Sequence, residues 1–195
     1  MGAGLRERKK IATRQALHEA AVALSIEHGL DKVTVEAIAD AAEVSRRTFS
    51  NYFTSKEEAL LYGDQLRMRL LVDAVRERPA AEPPWAALTG AALEVQQRLG
   101  ARDPRWVTQV RLVRRHPALA AQQVSTYASM EDELTAEITS RAPWSAQCPV
   151  RARLMAAAFL VAMRVAVQDW LDRPPGTHLA DVMREALAEM GAAFR

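Results

Sequence analysis

The segment VSRRTFSNYFTSKEEAL (residues 44–60) concentrates side chains that donate hydrogen bonds. Arg46 and Arg47 are adjacent, Asn51 follows them, and no acidic residue of the segment precedes Glu57. An arginine can donate two hydrogen bonds to O6 and N7 of guanine, and an asparagine amide can pair similarly with adenine. Each such pairing discriminates against a wrong base by about 1–3 kcal/mol. These residue types predict recognition of nucleic-acid bases.

Two short helices are predicted to position these donors. Thr34 is the predicted N-cap of a helix over residues 35–42, and Ser45 is that of a second helix over residues 46–53. A three-residue turn, 43–45, joins them. Two helices joined in this way form a helix-turn-helix, whose second helix fits the major groove of DNA.

The second of these helices has two different sides. Phe49 and Phe53 are four residues apart and therefore lie on one face, which is predicted to be buried. The side chains left free to face bases are Arg46, Arg47, Thr48 and Asn51.

Two further side chains are predicted to hold phosphates. The Tyr52 hydroxyl and the Lys56 ammonium can bind the DNA backbone, which fixes register without reading sequence. Ser55 and Glu58 form a capping box that starts a fourth helix, so Lys56 lies in its first turn. The helix dipole disfavours a cation there, and a phosphate beside it would offset that cost.

The rest of the chain has the pattern of an all-α protein. Apolar residues recur at spacings of three and four, and proline and glycine clusters divide the 195 residues into about nine helical segments. The longest apolar run, residues 154–163, is short of the roughly 20 residues that cross a bilayer. The single cysteine, Cys148, excludes an intramolecular disulfide and a cysteine-based metal cluster. We expect a cytoplasmic protein without metal, cofactor or membrane partner.

Charge is informative only locally. The formal net charge is +2, but residues 1–14 hold five cations against one acid, and residues 45–56 hold three against none. Residues 1–10 are therefore predicted to be a basic arm that contacts DNA. A solvated basic face is the ordinary alternative. The coincidence of turn length, caps, buried rings and basic arm favours DNA binding.

Residues from about 10 to 62, centred on TVEAIADAAEVSRRTFSNYFTSKEEAL, resemble the DNA-binding domain of TetR-family transcriptional regulators. The resemblance implies all-helical homodimers that bind palindromic operators on double-stranded DNA. It also implies release when a small-molecule effector enters the C-terminal domain. Matched by position, Arg46, Arg47, Thr48 and Asn51 lie at or near base-facing positions. The positions implied to contact phosphates or the nearby backbone are Ser45, Tyr52, Lys56 and Thr34.

Three positions depart from the family pattern. Glu43 stands where glycine is usual in the turn, and Ser50 stands where a DNA-facing tyrosine is usual. Glu36 stands where some members have a basic residue, and it either accepts from cytosine or stays solvated; the sequence favours the solvated state.

The predicted division is a helix-turn-helix domain over residues 1–54 and a helical domain for ligand binding and dimerisation over residues 55–195. In the last two helices, apolar stripes predict a surface for a second copy, although an ordinary core would show the same pattern. The predicted interface residues are Leu154, Ala158, Val161, Val165, Val182 and Ala186.

An effector pocket is predicted from aromatic and methionine residues, which at this spacing are also typical of a plain core. Its candidates are Trp85, Trp106, Tyr127, Trp144, Phe159, Met163, Trp170 and Arg164. Arg164 is the only charge between Arg153 and Asp169, and it predicts either a salt bridge, for example to Asp169, or an anion-binding group in the pocket.

Other functions are less well supported. The sequence has no phosphate-binding loop, no metal-ligand spacing and no nucleophile elbow, so an enzyme is not expected. The main alternative is a DNA-binding protein that acts without a small ligand, either architectural or controlled by a protein partner.

Overall fold

The computed structural model describes residues 3–99, 104–142 and 148–194. In these ranges the chain is helical and contains no strand, which confirms the predicted all-α fold. None of the described helices is long and apolar enough to cross a membrane. The α-helices of this part of the chain are α1 (Ala3–His28), α2 (Val35–Ala41), α3 (Arg46–Ser50), α4 (Lys56–Glu77), α5 (Pro84–Leu99), α6 (Pro104–Arg115), α7 (Pro117–Arg141), α8 (Pro149–Asp172) and α9 (Leu179–Gly191).

Two helix ends differ clearly from the prediction. The first helix begins at Ala3, so the predicted basic arm is helical over most of its length, with its cations exposed. The third helix ends at Ser50 and not at Phe53. The Phe53 amide still donates to the Phe49 carbonyl at 3.0 Å, so the backbone keeps a helical turn beyond the end of α3.

The predicted N-caps of α2 and α3 are confirmed. The Thr34 hydroxyl accepts from the Ala37 amide at 3.1 Å, and the Ser45 hydroxyl accepts from the Thr48 amide at 3.0 Å. Each cap satisfies an amide that has no partner within its own helix.

The start of α4 is capped in a slightly different way from the predicted box. The Glu58 amide donates to the Ser55 hydroxyl at 3.1 Å, as expected. The Glu58 carboxylate, however, accepts from both the amide and the hydroxyl of Thr54, each at 2.7 Å. Thr54 offers two donors to one carboxylate oxygen, and this explains why Glu58 binds Thr54 and not Ser55 with its carboxylate.

The described residues form two compact units, each assembled from separate stretches of chain. The first unit comprises residues 3–65 and 104–123, and the second comprises residues 66–99, 124–142 and 148–194. Helices α4 and α7 therefore contribute to both units. The functional boundary predicted after residue 54 remains a prediction.

The core of the first unit joins distant parts of the sequence. One buried cluster draws on α1, the short 3-10 helix Leu30–Lys32, α4, α6 and the start of α7, and consists of Val22, Leu30, Leu60, Leu61, Val113 and Leu119. The buried Gln109 side chain of α6 also donates to the Leu60 carbonyl at 2.9 Å. Helix α6 is thus part of the unit that contains the helix-turn-helix.

The second unit is built around α8 and α9, which pack against each other, and α5 packs on α9. Trp85 of α5 donates from Nε1 to the Leu187 carbonyl at 3.1 Å and stacks on Phe194, with ring centroids 5.1 Å apart. Gly191 allows this approach, because a Cβ there would collide with the Trp85 ring.

Arg141 of α7 caps the C-terminal end of α4. Its guanidinium donates to the carbonyls of Pro79 at 2.9 Å and Arg78 at 3.2 Å, and also to that of Val75. The last carbonyls of a helix have no helical partners, and a positive charge is favourable beside them. Arg76 adds an ion pair to Glu137 of α7 at 2.7 Å.

Candidate nucleic-acid interface and apolar groove

Helices α2 and α3 form the predicted helix-turn-helix. Residues 42–45 connect them, and Glu43 has a φ of 55°, the left-handed conformation that glycine adopts most easily. The Glu43 amide donates to the Asp40 carbonyl at 3.0 Å, and the Val44 amide donates to the Ala39 carbonyl at 2.9 Å. These bonds close the turn and offset the cost of about 1–2 kcal/mol for a residue with a Cβ in this conformation.

An aromatic cluster fixes the buried side of α3. Phe49 and Phe53 are 1% and 2% exposed, with ring centroids 5.8 Å apart, and Tyr62 of α4 meets Phe53 edge-on at 5.6 Å. The Arg14 guanidinium of α1 lies 5.1 Å from the Phe53 centroid and 4.8 Å from that of Tyr62, within cation–π range. Sequence reasoning missed Arg14, which stands in a run of other cations.

The predicted base-facing donors lie on the solvent side of this module. Arg46, Arg47 and Asn51 are exposed, and Asn51 is the C-cap of α3. Thr48 is half-buried, and its hydroxyl lies 2.8 Å from that of Ser45, so part of its hydrogen-bonding capacity is used in the cap.

The predicted backbone-contact residues are on the same module. Thr34 and Ser45 are exposed at the N-caps of α2 and α3, and Tyr52 is half-buried just beyond α3. Hydroxyls at helix N-termini stand next to free amides, and this arrangement suits an anionic group.

Glu36 is paired with Arg46. The Arg46 Nη1 atom lies 2.9 Å from Glu36 Oε1, and both side chains are largely exposed. Glu36 lies in the first turn of α2, where the helix dipole favours an acid, whereas Arg46 begins α3, where the dipole disfavours a cation. The Glu36 carboxylate therefore stabilises the charge of Arg46, which the dipole of α3 disfavours.

Lys56 is held by protein carbonyls. Its ammonium donates to the carbonyls of Leu30 and Val33, both at 2.8 Å, and the side chain is half-buried. An ammonium has three donors, so one remains for a phosphate. These acceptors could not be predicted from local sequence, because they lie 26 and 23 residues earlier in the chain.

A close contact between α1 and α4 positions the start of α4. His18 is 8% exposed, and its Nδ1 lies 2.8 Å from the Ala59 carbonyl. Gly63, one turn further on, leaves room for the ring, because a Cβ there would lie 2.7 Å from His18 Nε2. Sequence reasoning missed this pair.

The second unit contains an open groove of about 260 Å³ between α7 and α8. Most of its lining is apolar. The lining residues are Val124, Tyr127, Ala128 and Glu131 of α7 and Ala157, Leu160, Val161 and Arg164 of α8.

The groove has one positive charge, Arg164, for which the described residues provide no ion-pair partner. Glu131 is paired with Arg153 at 2.9 Å. Arg164 is exposed and forms no ion pair with any residue that the structure describes. The alternative of a salt bridge from Arg164 to Asp169 is not found, since Asp169 accepts from Arg173 at 2.7 Å.

The other predicted pocket residues lie elsewhere. Trp85 and Phe159 pack edge-on in the core of the second unit, with ring centroids 6.2 Å apart. Met163 is half-buried on α8 outside the groove lining, and Trp106 lies on α6 in the first unit. Trp170 is 1% exposed, donates to the Thr177 carbonyl at 2.9 Å and does not line the groove. Trp144 lies outside the described residues. Tyr127 and Arg164 are the candidates that the structure brings together.

The predicted pairing residues divide into two groups. On α8, Leu154 is 58% exposed, Val165 46% and Val161 40%, while Ala158 is half-buried among them. On α9, Ala186 is half-buried, but Val182 is 2% exposed. Val182 therefore belongs to the core of the second unit, whereas Leu154, Val161 and Val165 form an exposed apolar stripe on α8.

A helix-turn-helix attached to a helical unit defines a DNA-binding regulator. A model of bacterial regulatory proteins of the tetR family matches residues 17–62, and a model of the MftR C-terminal domain matches residues 82–195. The HTH-type transcriptional regulator TcmR of Streptomyces glaucescens is 34% identical over 193 residues, which cover 96% of this chain and 83% of TcmR. The chain belongs to the TetR family of transcriptional regulators.

Solved structures agree with the fold. A SmeT–triclosan complex has a TM-score of 0.63 at 20% identity and covers 93% of this chain and 91% of its own. Thermus thermophilus FadR in complex with lauroyl-CoA has a TM-score of 0.57 at 23% identity, and the match covers 91% of this chain and 92% of the FadR chain.

Proposed function

We propose that this chain is a repressor that binds a palindromic operator in the cytoplasm as a homodimer and leaves it when a small, largely apolar ligand binds the second unit. The observation that carries the proposal is the two-sided α3. Buried rings fix one side of this helix, and Arg46, Arg47 and Asn51 extend from the other into solvent.

The proposed division of roles follows residue chemistry. Arg46, Arg47 and Asn51 read base edges, since their forked donors match guanine and adenine. Thr34, Ser45, Tyr52 and the remaining donor of Lys56 hold phosphates and fix register. Thr48 supports the cap of α3 and lies next to the base-reading residues.

Pairing is proposed to occur through the exposed stripe of α8. Leu154, Val161 and Val165 repeat at helical spacing and are all at least 40% exposed in the single chain. An exposed apolar stripe of this kind is typical of a surface that another protein covers. Two copies related by a two-fold axis then present two recognition helices to two operator half-sites.

The ligand is proposed to bind the groove between α7 and α8. Apolar side chains with a few polar groups are typical of small-molecule sites. The unpaired Arg164 favours a ligand that carries an acidic or strongly hydrogen-bond-accepting group, and Tyr127 offers a second contact. SmeT with triclosan and FadR with lauroyl-CoA show small molecules bound to proteins of this fold.

Selection of bound sequences from a random double-stranded DNA pool tests the proposal. Wild-type protein is expected to enrich one inverted repeat. The spacing between its half-sites should match one turn of DNA or a multiple of it. An Arg69→Ala variant serves as a charge control, because Arg69 is exposed on α4 in the second unit. It should enrich the same repeat.

Two outcomes would redirect the assignment. No enriched motif, together with binding to all DNA at low salt, would favour an architectural protein. An enriched motif whose binding no small molecule weakens would favour control by a protein partner.

A further inference from the structure

The pair formed by Glu36 and Arg46 places a carboxylate on the exposed side of the helix-turn-helix. Glu36 comes from α2 and Arg46 from α3, and their side chains meet at 2.9 Å in solvent. A carboxylate near DNA is unfavourable for general affinity, because phosphates repel it. From this pairing we infer that Glu36 is a specificity-determining residue that reads DNA jointly with Arg46, an inference that rests on the proposed DNA-binding function.

The donors of Arg46 allow both contacts at once. A guanidinium has five N–H donors, and the contact with Glu36 Oε1 engages one side of it through Nη1. The edge formed by Nε and Nη2 remains available as a fork for O6 and N7 of guanine. The carboxylate thus restrains the orientation of an otherwise mobile side chain without using its base-reading edge.

The second oxygen of Glu36 has a chemistry of its own. The closest contact with Arg46 is made by Oε1, and a carboxylate has acceptor sites on both oxygens and only accepts hydrogen bonds. The base-edge donor suited to a carboxylate is the N4 amino group of cytosine. The O4 atom of thymine and the O6 atom of guanine would be repelled. The pair therefore selects a guanine together with a cytosine close to it.

Three single variants distinguish base reading by Glu36 from the effect of losing one negative charge. Glu36→Ala removes the pair, and Glu36→Gln keeps an acceptor but removes the charge. Asp40→Asn removes one negative charge from the same helix, at an exposed side chain with no ion pair to any described residue. All three lose one negative charge, so a general gain in affinity for any DNA should be common to them.

The three variants and wild type are compared by selection from the same random DNA pool, with circular dichroism to verify folding. Glu36→Ala is expected to lose about tenfold of its preference at one guanine and at one nearby cytosine per half-site, within the range for single base contacts. Glu36→Gln should weaken the cytosine preference, because its amide can also donate to the O4 and O6 atoms that a carboxylate repels, and it should keep more of the guanine preference. Asp40→Asn should keep the wild-type motif.

An Arg46→Ala background tests whether the two residues act jointly. There, Glu36→Ala should cause no further loss at the guanine, since its effect on that base passes through Arg46. Unchanged base preferences in Glu36→Ala and Glu36→Gln, or the same altered motif in Asp40→Asn, would overturn the inference. Failure of wild type to enrich any motif would instead overturn the proposed function.

Discussion

Arg46 and Lys56 show two different uses of a cation beside the recognition helix. Arg46 is largely exposed and shares its charge with Glu36. Lys56 is half-buried and ties the start of α4 to the carbonyls of Leu30 and Val33. We therefore propose that the same formal charge serves base recognition at Arg46 and domain stability at Lys56.

A Lys56→Met variant should be less stable without DNA. Loss of two hydrogen bonds from a charged donor is expected to lower the free energy of unfolding by about 1–3 kcal/mol. Urea unfolding followed by circular dichroism measures this. Arg47→Met is the matched control, because it removes an exposed cation, and it should leave the midpoint nearly unchanged. Equal midpoints for both variants would show that the two carbonyl contacts add no net stability.

The caps and the buried face of the helix-turn-helix could be predicted from the sequence because they depend on neighbouring residues. Thr34 and Ser45 cap helices that begin at the next residue, and Phe49 and Phe53 share a face through their spacing alone. Glu36 was predicted to be solvated, and its partner was missed. The pair joins two helices, and its geometry depends on the turn between them.

For helix α4, local sequence predicts where the helix begins and ends but not which residues pack against it. Its start was predicted from Ser55 and Glu58, and its end from the proline cluster that follows. Its supports lie far away in sequence: His18 beneath Gly63, and Arg141 at the carbonyls of its C-terminal end. No periodicity in α4 encodes these partners, because they are chosen by tertiary packing.

Replacement of Arg141 should weaken the C-terminal end of α4. An Arg141→Met variant loses its donors to the backbone carbonyls there, and we expect a decrease of about 1–3 kcal/mol in the free energy of unfolding. Thermal unfolding followed at 222 nm measures the change. Arg98→Met removes an exposed pair within α5 and should cost less than about 0.5 kcal/mol. Similar losses in both variants would contradict the capping role.

At the scale of the whole molecule, α8 presents an exposed apolar stripe that a second copy could cover. A Val161→Arg, Val165→Glu double variant is expected to sediment as a monomer, because removing two charged side chains from water into an apolar interface costs more than a pair between them returns. Sedimentation velocity at several concentrations measures this. Glu189→Arg, at an exposed position of α9, is a control for added charge and should remain dimeric. A dimeric double variant would place the interface elsewhere.

The same stripe borders the groove, since Val161 lines it. The double variant can therefore disturb both pairing and ligand binding. An Arg164→Met variant separates the two effects, because it removes the unpaired charge and leaves the apolar stripe intact. It should remain a dimer and bind acidic ligands more weakly, as measured by calorimetry with a ligand found by screening.

Ligand and operator should oppose each other in a reciprocal way. If the ligand favours a dimer whose recognition helices no longer match the half-site spacing, it weakens operator binding by about 1–3 kcal/mol. The operator must then weaken ligand binding by the same factor. Ligand titrations with and without saturating operator measure this coupling. Equal ligand affinities in the two titrations would remove the ligand from the control of DNA binding.

Operator affinity of an Arg46→Ala, Asn51→Ala double variant tests the DNA-reading role of α3 most directly. Anisotropy titrations would compare it with wild type and with Arg69→Ala, on the selected operator and on a scrambled duplex of equal length at one salt concentration. Loss of two base contacts predicts at least about 30-fold weaker binding to the operator, or about 2 kcal/mol, and a much smaller change on the scrambled duplex. The Arg69→Ala control should retain the wild-type ratio. Equal weakening on the two duplexes would contradict sequence reading by α3.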